Sequence, residues 1–303
     1  MRLVADFGGT NARVGLCENG VVKSSSIQRF SNAEWDSLED VLAAYCERHL
    51  TGTIDEMVVA VAGPVQAGKA ALTNRNWSIA DSELAQKFGC KRVVLLNDLT
   101  ALGYAVPVLS ADQAMQIYGK LVPHRSNGQA LVVGIGTGFN ISQVIKTDQG
   151  AICPTAEAGH VSLPQSVANE LKTFGLEPAH FPTVETLFSG RGLTTFCQQF
   201  TGSDRVTGKA AIASYGEQPR SKWTKAIDSY ALLLGLFLRE LSLSYMPSHG
   251  IFLAGSVSQA VAKCSPHPMM KVLRAPCQFR SPNDLSVFAI NDDSAALLGC
   301  AHY

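Results

Sequence analysis

Two stretches of this chain are built alike, and together they limit its fold more than any other feature. Residues 3–16, Leu-Val-Ala-Asp-Phe-Gly-Gly-Thr-Asn-Ala-Arg-Val-Gly-Leu, read as two short apolar strands joined by a glycine turn, with Asp6 at the bend. Residues 131–145, Leu-Val-Val-Gly-Ile-Gly-Thr-Gly-Phe-Asn-Ile-Ser-Gln-Val-Ile, repeat that plan. Either copy alone reads as an ordinary β-hairpin, since Gly-Gly is common in turns. A pair, one in each half, says more. Glycine accepts positive φ and leaves its N–H bare, and successive bare N–H groups make an anion-binding hollow. Two such turns could grip a polyphosphate from both sides. A carboxylate beside the first turn belongs there only if a cation lies between, so Asp6 points to phosphate plus magnesium, as a nucleoside triphosphate brings them.

A length of 303 residues is enough for two lobes, because single cores rarely grow past ~250–300 residues. At 46% hydrophobic and 17% charged the chain is globular. Lys plus Arg and Asp plus Glu number 25 each, a balance that points to neither nucleic acid nor a membrane surface. Asp6 interrupts any signal-peptide apolar run. Residues 230–238, the most apolar later segment, fall short of the ~20 needed to span a bilayer. Flanked by Asp228, Arg239 and Glu240, they read as a buried helix. Eight cysteines contain no Cys-x-x-Cys pair, which argues against a disulfide framework and a zinc site. Free thiols in a reducing cytoplasm follow.

The first hundred residues alternate strand and helix signals. Leu38, Val41, Leu42 and Tyr45 stand at helical spacing within residues 35–50. Residues 57–62 are a continuous apolar run ending at Gly63-Pro64, which suits a strand covered on both faces. Residues 78–88 have helix character, 92–96 form another buried strand, and a helix is expected from Thr100. In this α/β pattern ligands collect at the carboxyl ends of strands. Residues 116–128, with Gly119, Pro123, Ser126 and Asn127, read as a connection between lobes. Beyond the second hairpin come loop-rich segments around Pro154 and Pro178, a helix over 223–245 and a strand over 250–254 that turns at Gly255-Ser256. A last helix over 294–301 follows the cap candidates Asp292-Asp293-Ser294.

Asn97-Asp98 is the strongest chemical candidate. A carboxylate at the mouth of a buried strand can accept a proton from a substrate hydroxyl, although capping the next helix is a common task for Asp. Glu157 and His160, three apart, could ligate a metal, but no second such pair exists. They can equally hydrogen-bond vicinal sugar hydroxyls, or belong to a solvated loop. Glu185 is either a third acceptor or a surface residue. Residues 63–70 nearly spell a P-loop, but Ala70 lacks the hydroxyl for magnesium and residues 71–76 do not read as a long helix, so this is a strand-ending turn. Gly134-Ile135-Gly136-Thr137-Gly138-Phe139 misses the dinucleotide fingerprint at its last glycine. Trp77 reads as core.

Taken together these segments resemble the bacterial glucokinases of the actin-like sugar kinase superfamily over nearly the whole chain. The motifs that carry the resemblance are Asp6-Phe7-Gly8-Gly9-Thr10-Asn11-Ala12-Arg13, Asn97-Asp98-Leu99-Thr100-Ala101 and Gly136-Thr137-Gly138. With them stand Glu157-Ala158-Gly159-His160, Ser189-Gly190-Arg191-Gly192-Leu193 and Leu253-Ala254-Gly255. The resemblance implies an α/β protein of two ribonuclease-H-like lobes of the actin-like sugar kinase fold, with the sugar in an inter-lobe cleft. It implies a small lobe at 1–110 with a returning C-terminal helix at 291–303, and a nucleotide-binding large lobe at 111–290. The implied reaction is ATP-dependent phosphorylation of a hexose, D-glucose first, to glucose 6-phosphate.

Carried over residue by residue, Asp98 would be the general base, and Asn97, Glu157, His160 and Glu185 would hold the other hydroxyls. Gly8, Gly9, Thr10 and Asn11 would lie near the phosphates, opposite Gly136, Thr137 and Gly138. Gly255 would lie against the nucleoside, and Asp6 would face Mg2+ through water. ATP and Mg2+ are thus the expected cofactors, and a homodimer accords with the family. Asn140, Ser256 and Ala158 each stand where the family tends to have glycine. Asn tolerates positive φ, but at 140 its side chain could crowd the nucleotide. Asn140 and Ser256 motivate a second reading, a degenerate sugar-binding regulator of the same fold. A kinase for another hexose or an amino sugar is the third.

Overall fold

The computed structural model describes residues 1–50, 52–72, 75–119, 127–217, 221–278 and 285–303. It divides into two compact units. The first comprises Met1–Leu109, Lys146–Cys153 and Asp292–Tyr303, and the second Ser110–Ile145 and Pro154–Asn291.

The first unit grows from the hairpin Arg2–Phe7 and Asn11–Glu18, in which Asp6 lies opposite Arg13. Glu56–Val61 and then Arg92–Asn97 extend the sheet in parallel, with Phe7, Val61 and Asn97 in register at its carboxyl edge. Side chains alternate between the faces of a strand. Leu3, Ala5, Phe7, Met57, Val59 and Val61 therefore pack on one face with Leu38, Val41, Leu42 and Tyr45 of the helix Leu38–His49. Val4, Val58, Ala60 and Leu96 pack on the other, with Ala101 of the helix Asp98–Ala105 and with Leu297 and Cys300 of the terminal helix Ala295–His302. Asp6 shares the face of Val4. Its position under these helices is therefore a consequence of strand periodicity.

Four local expectations change. The helix expected over 78–88 begins only at Asp81, because Ser78–Ala80 is a strand that pairs with Lys69–Ala71. Lys69–Ala71 pairs in turn with Val65–Gln66 across Ala67 and Gly68, both at positive φ, so the near-P-loop is a tight hairpin. Thr73 and Asn74, which follow it in the sequence, lie outside the described residues. Trp77 is only partly buried and lies under the guanidinium of Arg75. The helix expected from Thr100 starts at Asp98, which puts the carboxylate on the first helical residue.

The second unit repeats the plan. Gln129–Ile135 and Phe139–Thr147 pair antiparallel, and Ile251–Ala254 and Val287–Ile290 add in parallel. Residues 116–118, expected in a connection, instead complete an edge strand, Ala114–Tyr118. Pro123 and Ser126 of that expected connection lie outside the described residues. The core of this unit gathers Leu131, Val133 and Ile135 with Tyr230, Leu234 and Leu238 of the long helix Lys222–Tyr245. The segments around Pro154 and Pro178 are loop-rich as expected, and four further helices, Gln165–Thr173, Val184–Leu187, Gly190–Thr201 and Gly208–Ala213, lie between and beyond them. Among the described residues no helix is long and apolar enough to cross a membrane.

Candidate active site

Both hairpin turns lie at the carboxyl edge of their sheets, and both spend their backbone groups in the same way. In the first, the Gly8 N–H donates to Asn11 O at 3.0 Å. Asn32 then takes the turn's carbonyls from behind, its Nδ2 donating to Gly8 O at 2.8 Å and its backbone N–H to Thr10 O at 2.9 Å. Among the described residues nothing accepts the N–H groups of Gly9 and Thr10. In the second turn, the Gly136 N–H donates to Gly138 O at 3.0 Å, while Gly136 O accepts from the Gly190 N–H at 2.8 Å. Nothing described accepts the N–H groups of Thr137 and Gly138. Each turn thus closes with its first glycine and keeps the next two donors open for an anion.

Asp98 follows the strand Arg92–Asn97 and starts a helix whose cap is Asn97, not Asp98. The Leu99 N–H is shared between Asn97 Oδ1 at 3.0 Å and Asp98 Oδ1 at 2.9 Å. Asn97 Nδ2 donates to Gly63 O at 3.0 Å, which ties the strand end to the neighbouring turn. With the cap supplied by Asn97, Asp98 keeps acceptor capacity for a substrate proton. Burial pushes its carboxyl up to about 6, against the Leu99 N–H, its own N–H and the Asn97 amide, which all favour the charged form.

Asp6 lies two strands away on the same edge, ~10 Å in backbone terms. It is buried, and that burial, with the charge of Asp98 next, pushes its carboxyl up to about 7. Arg13 opposes this from 3.6 Å but divides its attention, because a second nitrogen holds Asp293 at 2.9 Å. Desolvation wins over the ion pair. The carboxylate is therefore short of positive charge, which is the electrostatic condition of a cation site.

In the second unit, Glu157 precedes a single short turn, Ala158–His160, and the Glu157 and His160 side chains are exposed. Glu185 stands on the helix Val184–Leu187, fixed by the reciprocal bonds of Thr183 and Thr186. Its Oε2 accepts the Phe139 N–H at 3.0 Å, so this carboxylate already braces the second glycine turn. The approach is close enough that a Cβ on Gly138 would meet Glu185 Oε2 at 2.7 Å. Arg191 lies 3.7 Å from its other oxygen. Gly255 ends Ile251–Ala254 at φ +84°, where a Cβ would come within 2.5 Å of Ile135 O. Its glycine is thus required by both conformation and space.

Ser256, the residue after it, is simply the first of the helix Ser256–Cys264. Asn140 is not at positive φ, so the tolerance invoked for a residue replacing the family's glycine is not needed. It lies on the strand Phe139–Thr147 opposite Gly134, and its amide is committed to the segment 156–158. Its side chain thus serves that segment rather than a positive-φ turn.

Sequence reasoning brought out the acids and the glycines but missed Asn32, the pairing of Arg13 with Asp6 and the arrival of Asp293. The Arg13 pairing was available from the symmetry of the hairpin. Asp293, 280 residues away from Arg13, carried no local signal.

Two units of this plan, each led by a glycine-turned hairpin and the first with Asp6, Asn97 and Asp98 at its sheet edge, have the fold of the actin-like sugar kinases. A family model for glucokinase matches residues 3–303, and the chain belongs to that family. A glucokinase of Psychromonas ingrahamii is 28% identical over 263 residues, covering 84% of this chain and 81% of that one. The crystal structure of a glucokinase from an Antarctic psychrotroph is 25% identical, with a TM-score of 0.79 over 99% of this chain and 97% of that one. A ROK family glucokinase from Streptomyces griseus, solved with glucose and AMPPNP, shares the fold at a TM-score of 0.63 and 19% identity, over 99% of this chain and 97% of that one.

Proposed function

We propose that the protein transfers the γ-phosphoryl group of ATP to the 6-hydroxyl of D-glucose, with Asp98 taking the hydroxyl proton. Family membership across residues 3–303 carries the class of reaction, ATP-dependent phosphorylation by a hexose kinase. One observation carries the assignment of the base: Asn97 caps the helix, which leaves the partly buried carboxyl of Asp98 near its titration point at the strand mouth. A base is most useful when its pKa lies near the working pH. The proton moves from the sugar oxygen to an Asp98 carboxylate oxygen as that sugar oxygen bonds to phosphorus and the ADP oxygen leaves. Asn97, Glu157, His160 and Glu185 hold the remaining hydroxyls.

Phosphoryl transfer asks the protein mainly for positioning and charge neutralisation. The open N–H pairs at Gly9-Thr10 and Thr137-Gly138 supply donors for phosphate oxygens, and Gly255 leaves room for the nucleoside. The first unit thus serves as the small lobe, and the second as the nucleotide lobe. Asp6 fits magnesium, since it is a buried carboxylate with too little compensating charge. Magnesium keeps several waters and is commonly held by one or two carboxylates plus substrate phosphates, so a single carboxylate suits it. Asp6 would hold it, and it would neutralise charge on the phosphates. The scattered cysteines support a cytoplasmic setting.

A coupled ADP-release assay over glucose, mannose, fructose, galactose, glucosamine and N-acetylmannosamine tests the assignment. Turnover is expected with glucose at the highest kcat/KM. Turnover confined to an amino sugar would replace the substrate, and ADP release with no sugar dependence would remove the kinase reading.

A further inference from the structure

The structure assigns a positioning role to Asn140: its amide sets the sugar-facing carboxylate of Glu157 from a rigid strand, and so tunes sugar affinity rather than nucleotide affinity. The inference rests on Glu157 being a hydroxyl ligand, as proposed above. It adds a residue whose departure from glycine looked, in the sequence alone, like damage to the nucleotide turn.

The amide of Asn140 is fully used. Its Oδ1 accepts from the Ile141 N–H at 2.9 Å and from the Ala158 N–H at 3.1 Å. Its Nδ2 donates to Ala156 O at 2.7 Å and faces Glu157 Oε2 at 3.5 Å. Two of these partners can only donate and two can only accept, so only one orientation of the amide satisfies all four. The same logic excludes the near-isostere. An Asp here could take the two N–H groups, but it would set a second carboxylate against Ala156 O and Glu157.

Glu157 needs such help. It is exposed, and it precedes a three-residue turn rather than sitting inside a helix or strand. An unsupported glutamate loses rotamer freedom each time it grips a ligand. Asn140, by contrast, is paired into the sheet opposite Gly134. From there it fixes the backbone on both sides of Glu157, at Ala156 O and Ala158 N, as well as the carboxylate itself. Supporting groups on rigid elements are what hold a binding constellation to its working geometry. The phosphate-side turn has its own braces, Glu185 on Phe139 N and Gly190 on Gly136 O, neither of which passes through the Asn140 side chain. This separation makes the inference specific to the sugar.

The test measures KM for glucose and for ATP, with kcat, in Asn140→Ala, Asn140→Asp, Glu157→Gln and the doubles. Asn140→Ala is expected to raise the glucose KM about tenfold while the ATP KM stays within about twofold, since part-buried hydrogen bonds are lost on the Glu157 side only. Asn140→Asp is expected to raise the glucose KM further, and Glu157→Gln is expected to relieve that extra penalty because the repelling charge is gone. Calorimetric titration of glucose into the same proteins reads affinity without turnover, so a wild type that binds glucose but does not release ADP fails the kinase reading and leaves this one measurable. An unchanged glucose KM and Kd in both variants would overturn the inference. So would equal rises in both KM values, a penalty of Asp over Ala that persists in the Glu157→Gln background, or a wild type with no affinity for glucose.

Discussion

At the scale of single residues, the decisive contrast is between Asn97 and Asp98. The two adjacent polar side chains divide one helix start between them, and the amide takes the capping work. Replacing Asp98 by Asn keeps the shape and the Leu99 contact but removes the acceptor of the sugar proton. Asp98→Asn is expected to keep glucose affinity within a few-fold while kcat falls by roughly 10²–10⁴, the usual contribution of a positioned base. Steady-state turnover beside a calorimetric glucose titration checks it, and undiminished turnover would remove Asp98 from the role. The pH dependence follows from the same carboxyl. The base works when ionised, so kcat/KM should fall with decreasing pH through about 6, tending to about tenfold per pH unit below it. Because Asp6 titrates nearby at about 7 and feels Asp98, the apparent values belong to the pair.

At the scale of elements, what the sequence declared most clearly was what repeated or alternated. Both hairpins were legible because apolar strands flank glycines in each, and the helix Leu38–His49 because its four spaced apolar residues are the four it buries. The strand Glu56–Val61 was legible as a continuous apolar run, and all but its first residue are buried. The helices Val184–Leu187, Gly190–Thr201 and Gly208–Ala213 were obscured because each opens on a Ser or Thr cap that also reads as a turn residue. Ser189 caps Gly190–Thr201 by accepting the Gly192 N–H at 3.0 Å, yet the local sequence Ser-Gly-Arg-Gly reads as a loop. Residues 78–80 were misread because a three-residue strand leaves no period to detect. Asn140 shows the sharper limit: its partners come from sixteen and eighteen residues away, and no local rule names them. Two caps or turns make this scale testable. Ser189→Ala should cost about 1 kcal/mol, since a buried cap acceptor is lost. Gly255→Ala should cost more, because it adds both a positive-φ penalty and a clash with Ile135 O. Thermal denaturation ranks the two, and an ordering in which Ser189→Ala is the worse would contradict the close approach at Gly255.

At the scale of the whole molecule, two desolvated acids in one unit, Asp6 buried and Asp98 partly so, set a stability trend opposite to the common one. Burial raises the carboxyls of Asp6 and Asp98 in the folded protein to about 7 and about 6, well above the range of a solvated aspartate. Between about 4 and 7 the folded state therefore binds more protons at these groups than the unfolded chain does. Stability falls with rising pH wherever that holds. Their contribution is thus neutral below the unfolded pKa, becomes progressively unfavourable as pH rises, and is fully unfavourable above the folded values. Each tenfold gain in proton affinity on folding sets that penalty at about 1.4 kcal/mol. Asp55, at an exposed salt bridge and held down at about 2, acts with the opposite sign but only towards strong acid. In metal- and nucleotide-free protein, Asp6→Asn should therefore raise the melting temperature at pH 8 and change it little at pH 4. Arg13 retains Asp293 in that variant, so its guanidinium is not stranded. Adding Mg2+ with a non-hydrolysable ATP analogue and glucose should stabilise the wild type more than Asp6→Asn, since only the wild type keeps the carboxylate for the ion. A variant less stable than wild type at pH 8 without ligands would show that the pairing with Arg13 outweighs burial, and that Asp6 is a structural anion rather than a held-open cation site.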